Sequence, residues 1–174
     1  MNLFFRFLRI FLPALFSRTR TSLLDLHVIR SAVWLGDQDP MGHMTNSRYS
    51  SFTDLAIMNY MGRTGALMAF RKRGWLPVIQ YENFYYLRMM RYPQKFEVHT
   101  RLICWESTQM VFGHSFISDG RVYAESYTVA RLTGRRKTRV TADMAMEALG
   151  VSLESPPIEP AIRTILDELK ARAA

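Results

Sequence analysis

The stretch Gly36-Asp37-Gln38-Asp39-Pro40-Met41-Gly42-His43-Met44-Thr45-Asn46-Ser47-Arg48-Tyr49 decides how the chain is to be read. Turn formers, two carboxylates and a histidine come first. Then, from Asn46 to about Gly62, Tyr49, Phe52, Ala56 and Asn59 or Tyr60 recur at three- and four-residue spacing, the repeat of an amphipathic helix. Thr45 or Asn46 suits the N-cap, and Gly42 can take backbone shapes that other residues avoid. Two carboxylates beside a histidine exceed what capping needs. The positive end of a helix and its free N–H groups can hold a developing oxyanion. A carboxylate close by can activate water or attack a carbonyl. The segment therefore predicts a catalytic loop at a helix start, with either aspartate as its carboxylate.

The flanks extend the same reading. Leu26, Val28, Ala32 and Trp34 recur at alternate positions before the loop, an imperfect strand signal. After the helix, Ala66 to Lys72 predicts a second helical turn or two, ending at Gly74. From Trp75 onward the chain reads as strands. Trp75 to Met90 is long and aromatic, Pro93 breaks it, and Phe96, Val98, Thr100, Leu102 and Cys104 then alternate along the next. Another runs from about Gln109 to Ile117. Asp119-Gly120 follows, a pair that tolerates the positive φ of a type I′ hairpin, and a strand from Val122 to Leu132 comes after it. Pro156-Pro157 closes a linker before a C-terminal helix, Ala161 to Ala171. One strand, a helix and an antiparallel meander make an α+β domain whose sheet can wrap the helix.

A chain of 174 residues has room for one domain of ordinary size. With 48% hydrophobic and 22% charged residues it is a folded globular protein and not a disordered one. Cys104 is the single cysteine, so no intrachain disulfide can form and a reducing compartment is permitted. Its place on the Phe96/Val98/Leu102 face reads as buried packing. His27, His99 and His114 lack ligand spacing, so no metal site is expected. No Gly-x-Ser-x-Gly elbow, Walker loop or dinucleotide fingerprint is present, and no cofactor is expected. The net charge of +8 favours polyanionic partners: nucleic acid, anionic lipid, coenzyme A or an acidic carrier protein. No nucleic-acid motif accompanies it, so that partner is not expected.

Residues 1–20 form a basic arm. On a helical wheel Asn2, Arg6, Arg9 and Pro13 fall on one narrow side, and the phenylalanines and leucines cover the rest. The longest uncharged run, Ile10 to Ser17, is far short of the ~20 residues of a membrane-spanning helix, and arginines spoil it as a secretory signal. The pattern fits an interfacial helix with its rings in the lipid boundary and its arginines at the headgroups. A helix packed on the domain or on a dimer partner is the alternative.

The run GDQDPMGHMTNSRY, with its preceding strand and following helix, resembles the 4-hydroxybenzoyl-CoA thioesterase branch of the hotdog superfamily. That family shows two aspartates one residue apart, then Gly, often His, an Asn, and Tyr three residues after the Asn. The stretches RLICWEST and FISDGRVYAES look like membrane-associated relatives of the branch. The resemblance spans roughly Asp25 to Arg139. It implies a hotdog fold, an antiparallel sheet around a central helix, over residues 21–145, with 146–174 as linker and C-terminal helix. It also implies hydrolysis of an acyl-CoA or acyl-carrier-protein thioester. Carried over by position, Asp39 is the catalytic carboxylate and Asp37 a brace. The Asn46 N–H polarises the carbonyl, and Tyr49 packs or lines the substrate. His43 is left between substrate contact and loop hydrogen-bonding. Arg135 and Arg136 could meet coenzyme A phosphates. Thr45-Asn46 departs from the paired asparagines usual in close members. A homodimer or homotetramer is implied, in the cytoplasm or peripheral on the inner face of a membrane. The rival readings are a hotdog dehydratase or hydratase, and a non-catalytic acyl- or lipid-binding module.

Overall fold

The structure is a computed structural model that describes residues 2–15, 20–134 and 138–173. The meander is built on the turn anticipated at Asp119-Gly120, where both residues take positive φ, 48° and 71°. It joins β4 (Gln109–Ser118) to β5 (Arg121–Thr133), with Ser118 opposite Arg121. On the other side of β4 lies β3 (Lys95–Glu106), then β1 (His27–Ala32), while β2 (Leu76–Tyr86) pairs with β5. The result is a five-stranded antiparallel sheet in the order β1-β3-β4-β5-β2.

Helix α1 (Asn2–Leu15) precedes the sheet, and α2 (Asn46–Thr64) lies along its inner face. Tyr49, Phe52, Ala56, Asn59 and Tyr60, the residues at helical spacing, are all buried, and Leu55 with them. They meet Phe96, Val98, Phe112 and Phe116 from the alternate positions of β3 and β4. This is the hotdog arrangement that the resemblance implied. Phe52 is fully buried, and a ring in such a place contributes about 1.5–3 kcal/mol by its burial alone. Gly65 and Gly74, with φ of 81° and 69°, end α2 and the short α3 (Ala66–Arg73). Two further helices follow: α4 (Ala142–Leu149) and α5 (Pro160–Ala173). The sequence reading passed over α4, although Thr141 caps it by accepting the Met144 N–H and Gly150 closes it. Ile162 and Leu166 of α5 cover Val111 and Val129 on the outer face of the sheet.

Three expectations change. In β1 the buried residues are His27 and Ile29, followed by Val33, so the strand faces inward on the opposite parity from Leu26, Val28, Ala32 and Trp34. His27 is held inside by an edge-to-face contact with Tyr60, and Leu26 and Trp34 are left exposed. Cys104 is buried as expected, but on the other face from Phe96 and Val98. A register shift between Leu102 and Cys104 turns it toward α5, and burial pushes its thiol up to about 11. In α1, Arg6 does not face outward with Arg9; it is buried against α2 and the loop after β1.

Under α2 the inner face also carries His114, whose Nδ1 meets the Thr100 hydroxyl at 2.9 Å. Burial lowers this imidazole from the ordinary 6.5 to about 3. Between those values the unfolded chain binds a proton that the native state refuses. Stability should therefore fall as pH drops through that window, by up to about 1.4 kcal/mol per pH unit. Urea midpoints taken from pH 7 down to pH 4 should show a shallower acid decline for His114→Asn than for the parent. Equal slopes would show that this ring is not the titrating group.

Candidate active site

Asp37 and Asp39 have opposite surroundings in the loop between β1 and α2. A 3₁₀ turn, Leu35–Asp37, swings the Asp37 carboxylate inward, where it has no exposure to solvent. Its Oδ2 accepts the Trp34 N–H at 2.8 Å and pairs with Arg6 Nη2 at 2.7 Å. Arg48 Nε, from the first turn of α2, lies 3.4 Å from Oδ1. The Asp37 carbonyl accepts both the N–H and the hydroxyl of Thr45, at 2.9 and 3.0 Å. Asp37 thus clamps the base of the loop to the start of the helix.

Asp39, two residues on, is half-buried. Its Oδ1 accepts the N–H groups of Met41 at 2.9 Å and His43 at 3.1 Å, and its own N–H donates to the His43 carbonyl at 2.8 Å. The tight return needs Gly42, whose φ of 78° is left-handed and disfavoured for a residue with a Cβ. Gln38 bridges to Met44, and the Met44 N–H donates to the Met90 carbonyl at 2.8 Å, tying the loop to the chain that enters β3. The carboxylate is thus held through Oδ1 by two backbone donors of a loop that is itself hydrogen-bonded along its length.

His43 has a partner that the sequence did not suggest. Arg91 Nη2 lies 2.8 Å from His43 Nε2. A guanidinium can only donate, so Nε2 is the acceptor there and Nδ1 is left to carry the N–H. Asn46 opens α2 beside the loop. Thr45 occupies the N-cap position but makes no side-chain cap bond, because its hydroxyl donates to Asp37 instead. The positive end of α2 is therefore not closed by its cap residue. Tyr49, a turn further on, is buried among the rings of Phe84, Tyr86 and Phe116, with centroids 5.0–6.2 Å away. Burial raises its phenol to about 12, which keeps it protonated at neutral pH and rules it out as a base.

The loop and the first turn of α2 thus gather Asp37, Asp39, His43, Asn46 and Tyr49. Arg135 and Arg136 lie outside the described residues. Sequence reasoning missed Arg6, Arg48 and Arg91 as site neighbours. Arg48 could have been found from its place in the first helical turn after the acidic loop. The other two come from remote segments, and only the fold brings them near. Among the described residues no group of three or more His, Cys, Asp or Glu side chains is arranged to hold a metal ion. The small cavity of about 30 Å³ between Ile57, Phe70, Phe112 and Met146 is wholly apolar and is lined from the far half of α2.

The sequence model of the thioesterase-like superfamily matches residues 33–166. The chain belongs to this superfamily. Among curated relatives, it is 29% identical to protein THEM6 of Xenopus laevis over 136 residues, 77% of this chain and 64% of that protein. It is 30% identical to protein THEM6 of Danio rerio over 123 residues, 70% of this chain and 61% of that protein. The chain thus spans less than two thirds of the length of either relative. Solved structures share the fold. A probable thioesterase of Escherichia coli, YbaW, superposes with a TM-score of 0.67 at 14% identity, over 71% of this chain and 96% of its own. A 4-hydroxybenzoyl-CoA thioesterase mutant, complexed with 4-hydroxybenzoyl-CoA, gives 0.62 at 19% identity, over 71% of this chain and 98% of its own.

Proposed function

We propose that the protein hydrolyses an acyl thioester of coenzyme A or an acyl carrier protein to a free acid and a thiol, with Asp39 as the reacting carboxylate. The observation that carries this reading is the fastening of Asp39 by the Met41 and His43 N–H groups beside the start of α2. Both bonds fall on Oδ1, which leaves Oδ2 to meet water or the carbonyl carbon. As a general base, Asp39 takes a proton from water while the water oxygen adds to the carbonyl. As a nucleophile, it forms an anhydride that water then opens. Both routes need the same placement. In each, the carbonyl oxygen gains negative charge near the Asn46 N–H, and the C–S bond breaks to release a thiolate. Thiolate is a good leaving group, so no strong acid is required, and the Nδ1–H of His43 serves orientation. Superfamily membership supports this chemistry over a dehydratase, which would leave the thioester intact.

With acyl-CoAs of varied chain length and detection of free thiol, Asp39→Asn should lower turnover on the order of 10²–10⁴-fold. Parental turnover in the variant would remove Asp39 from the mechanism.

The working unit is a homodimer, or a pair of such dimers. β2 is an edge of the sheet, and Leu76, Val78, Ile79 and Tyr85 along it are exposed. A long apolar edge of this kind is a template for pairing with another chain, and here we take the other chain to be a second copy. Sedimentation equilibrium should report at least a dimer for the parent and a shift toward monomer for Val78→Lys/Tyr85→Glu. A parental protein that sediments as a monomer would exclude this assembly.

Helix α1 adds a peripheral membrane contact. Among the described residues no helix is long and apolar enough to cross a membrane, but Phe4 and Phe5 are 61% and 63% exposed while α1 packs on α2 through its other side. Rings so placed suit the boundary of an anionic bilayer, with Arg9 at its headgroups. Phe4→Ser/Phe5→Ser should release the protein from phosphatidylserine vesicles and leave hydrolysis of soluble acyl-CoA intact. Undiminished vesicle binding would refute the contact.

A further inference from the structure

We propose that α1 belongs to the catalytic apparatus, with Arg6 as a positioning residue that holds Asp39 in place through Asp37. This rests on the Asp39 reading above and goes beyond it. The superfamily match begins at residue 33, so Arg6 lies outside the region that defines the family.

Arg6 is only 7% exposed, on a helix whose neighbouring Phe4 and Phe5 are largely in solvent. Its Nη2 reaches two groups at once: Asp37 Oδ2 at 2.7 Å and the carbonyl of Ala32, at the end of β1, at 3.1 Å. The guanidinium lies 5.1 Å from the ring centre of Phe52 and 5.7 Å from that of Trp34, so aromatic faces flank the charge. One side chain thus ties α1 to the end of the strand and to the base of the loop. Among the described residues the other cation paired with the fully buried Asp37 is Arg48, at 3.4 Å and itself partly in solvent. Without Arg6 the Asp37 charge would be left buried and undercompensated, and the loop base would have to move to hydrate it.

Such movement reaches Asp39 directly. Asp37 is clamped to Thr45, Gln38 to Met44, and Asp39 to His43, so the rungs of the loop are stacked above the buried pair. A displacement at the base carries the reacting carboxylate with it, and misplacement by about 1 Å can cost ~10²-fold in rate. An arm that served only as an anchor would have no need to bury a charge beneath this loop. Among the described residues Arg6 Nε and Nη1 are buried without hydrogen-bond partners, so the guanidinium is kept inside at a cost that its contacts with Asp37 and Ala32 offset.

The test uses the full chain carrying Arg6→Met, Asp37→Asn, the two together, or Asp39→Asn, with soluble acyl-CoA as substrate and folding checked by circular dichroism. Arg6→Met should lower kcat by about 10- to 100-fold while KM changes only a few-fold. The double variant should recover part of that loss, because no buried charge is left unpaired. Parental kcat in Arg6→Met, or a double variant no better than the single one, would overturn the positioning role. So would a change confined to KM or thermal stability. If Arg6→Met does not fold, Arg6→Lys decides by the same criterion: a lowered kcat at similar KM supports the role and a parental kcat overturns it. Asp39→Asn separates the two claims. If it is fully active, Asp39 leaves the mechanism and the role of Arg6 falls with it; if it is inactive while Arg6→Met is parental, only the role of Arg6 falls.

Discussion

The apolar face of α2 has to be buried, and the concave side of the sheet is the surface that can accept it. Tyr49, Phe52, Leu55, Ala56 and Tyr60 occupy that face, and the alternate residues of β3 and β4 meet them. Once the helix is seated, the loop of residues 33–45 is fastened to its start by the Thr45 N–H and hydroxyl, both donated to the Asp37 carbonyl. Its carboxylates are delivered to the positive end of a buried helix by the same packing that forms the core.

Electrostatics then divides the two aspartates. Asp37 is turned inward by the 3₁₀ turn and requires cationic partners, since a buried carboxylate left alone is costly. Arg6 and Arg48 supply them from two different helices. Asp39 stays half-buried and is held by neutral backbone donors. This division explains why Arg6 leaves the outward side of α1 that Arg9 keeps. The buried carboxylate draws Arg6 in, while Phe4 and Phe5 stay out and Phe7 packs against the core.

Much of the fold was legible because it depends on local rules. Helical spacing marked α2, alternation marked β3, and Asp119-Gly120 marked the hairpin by its need for positive φ. The errors arose where a local rule met a distant contact. In β1 the apolar residues at even positions suggested one face, but His27 finds Tyr60 and the strand is oriented by that burial. In β3 an irregularity after Leu102 reverses the face of Cys104, and alternation cannot show a register shift set by pairing with β4. The loop residues Asp37, Asp39, His43 and Asn46 could be read as one candidate group because they lie close together in sequence. Arg91, 48 residues from His43, was not.

By itself, the sequence determined most of the elements, α4 excepted, their order, the turn chemistry and the presence of two carboxylates at a helix start, because each depends on residues a few positions apart. Which aspartate is buried, which nitrogen of His43 accepts a hydrogen bond, and which arginines stand beside the loop were decided by the tertiary structure. Those outcomes depend on the desolvation of charge and on contacts between remote segments, and neither exists until α1, α2 and the sheet have packed together.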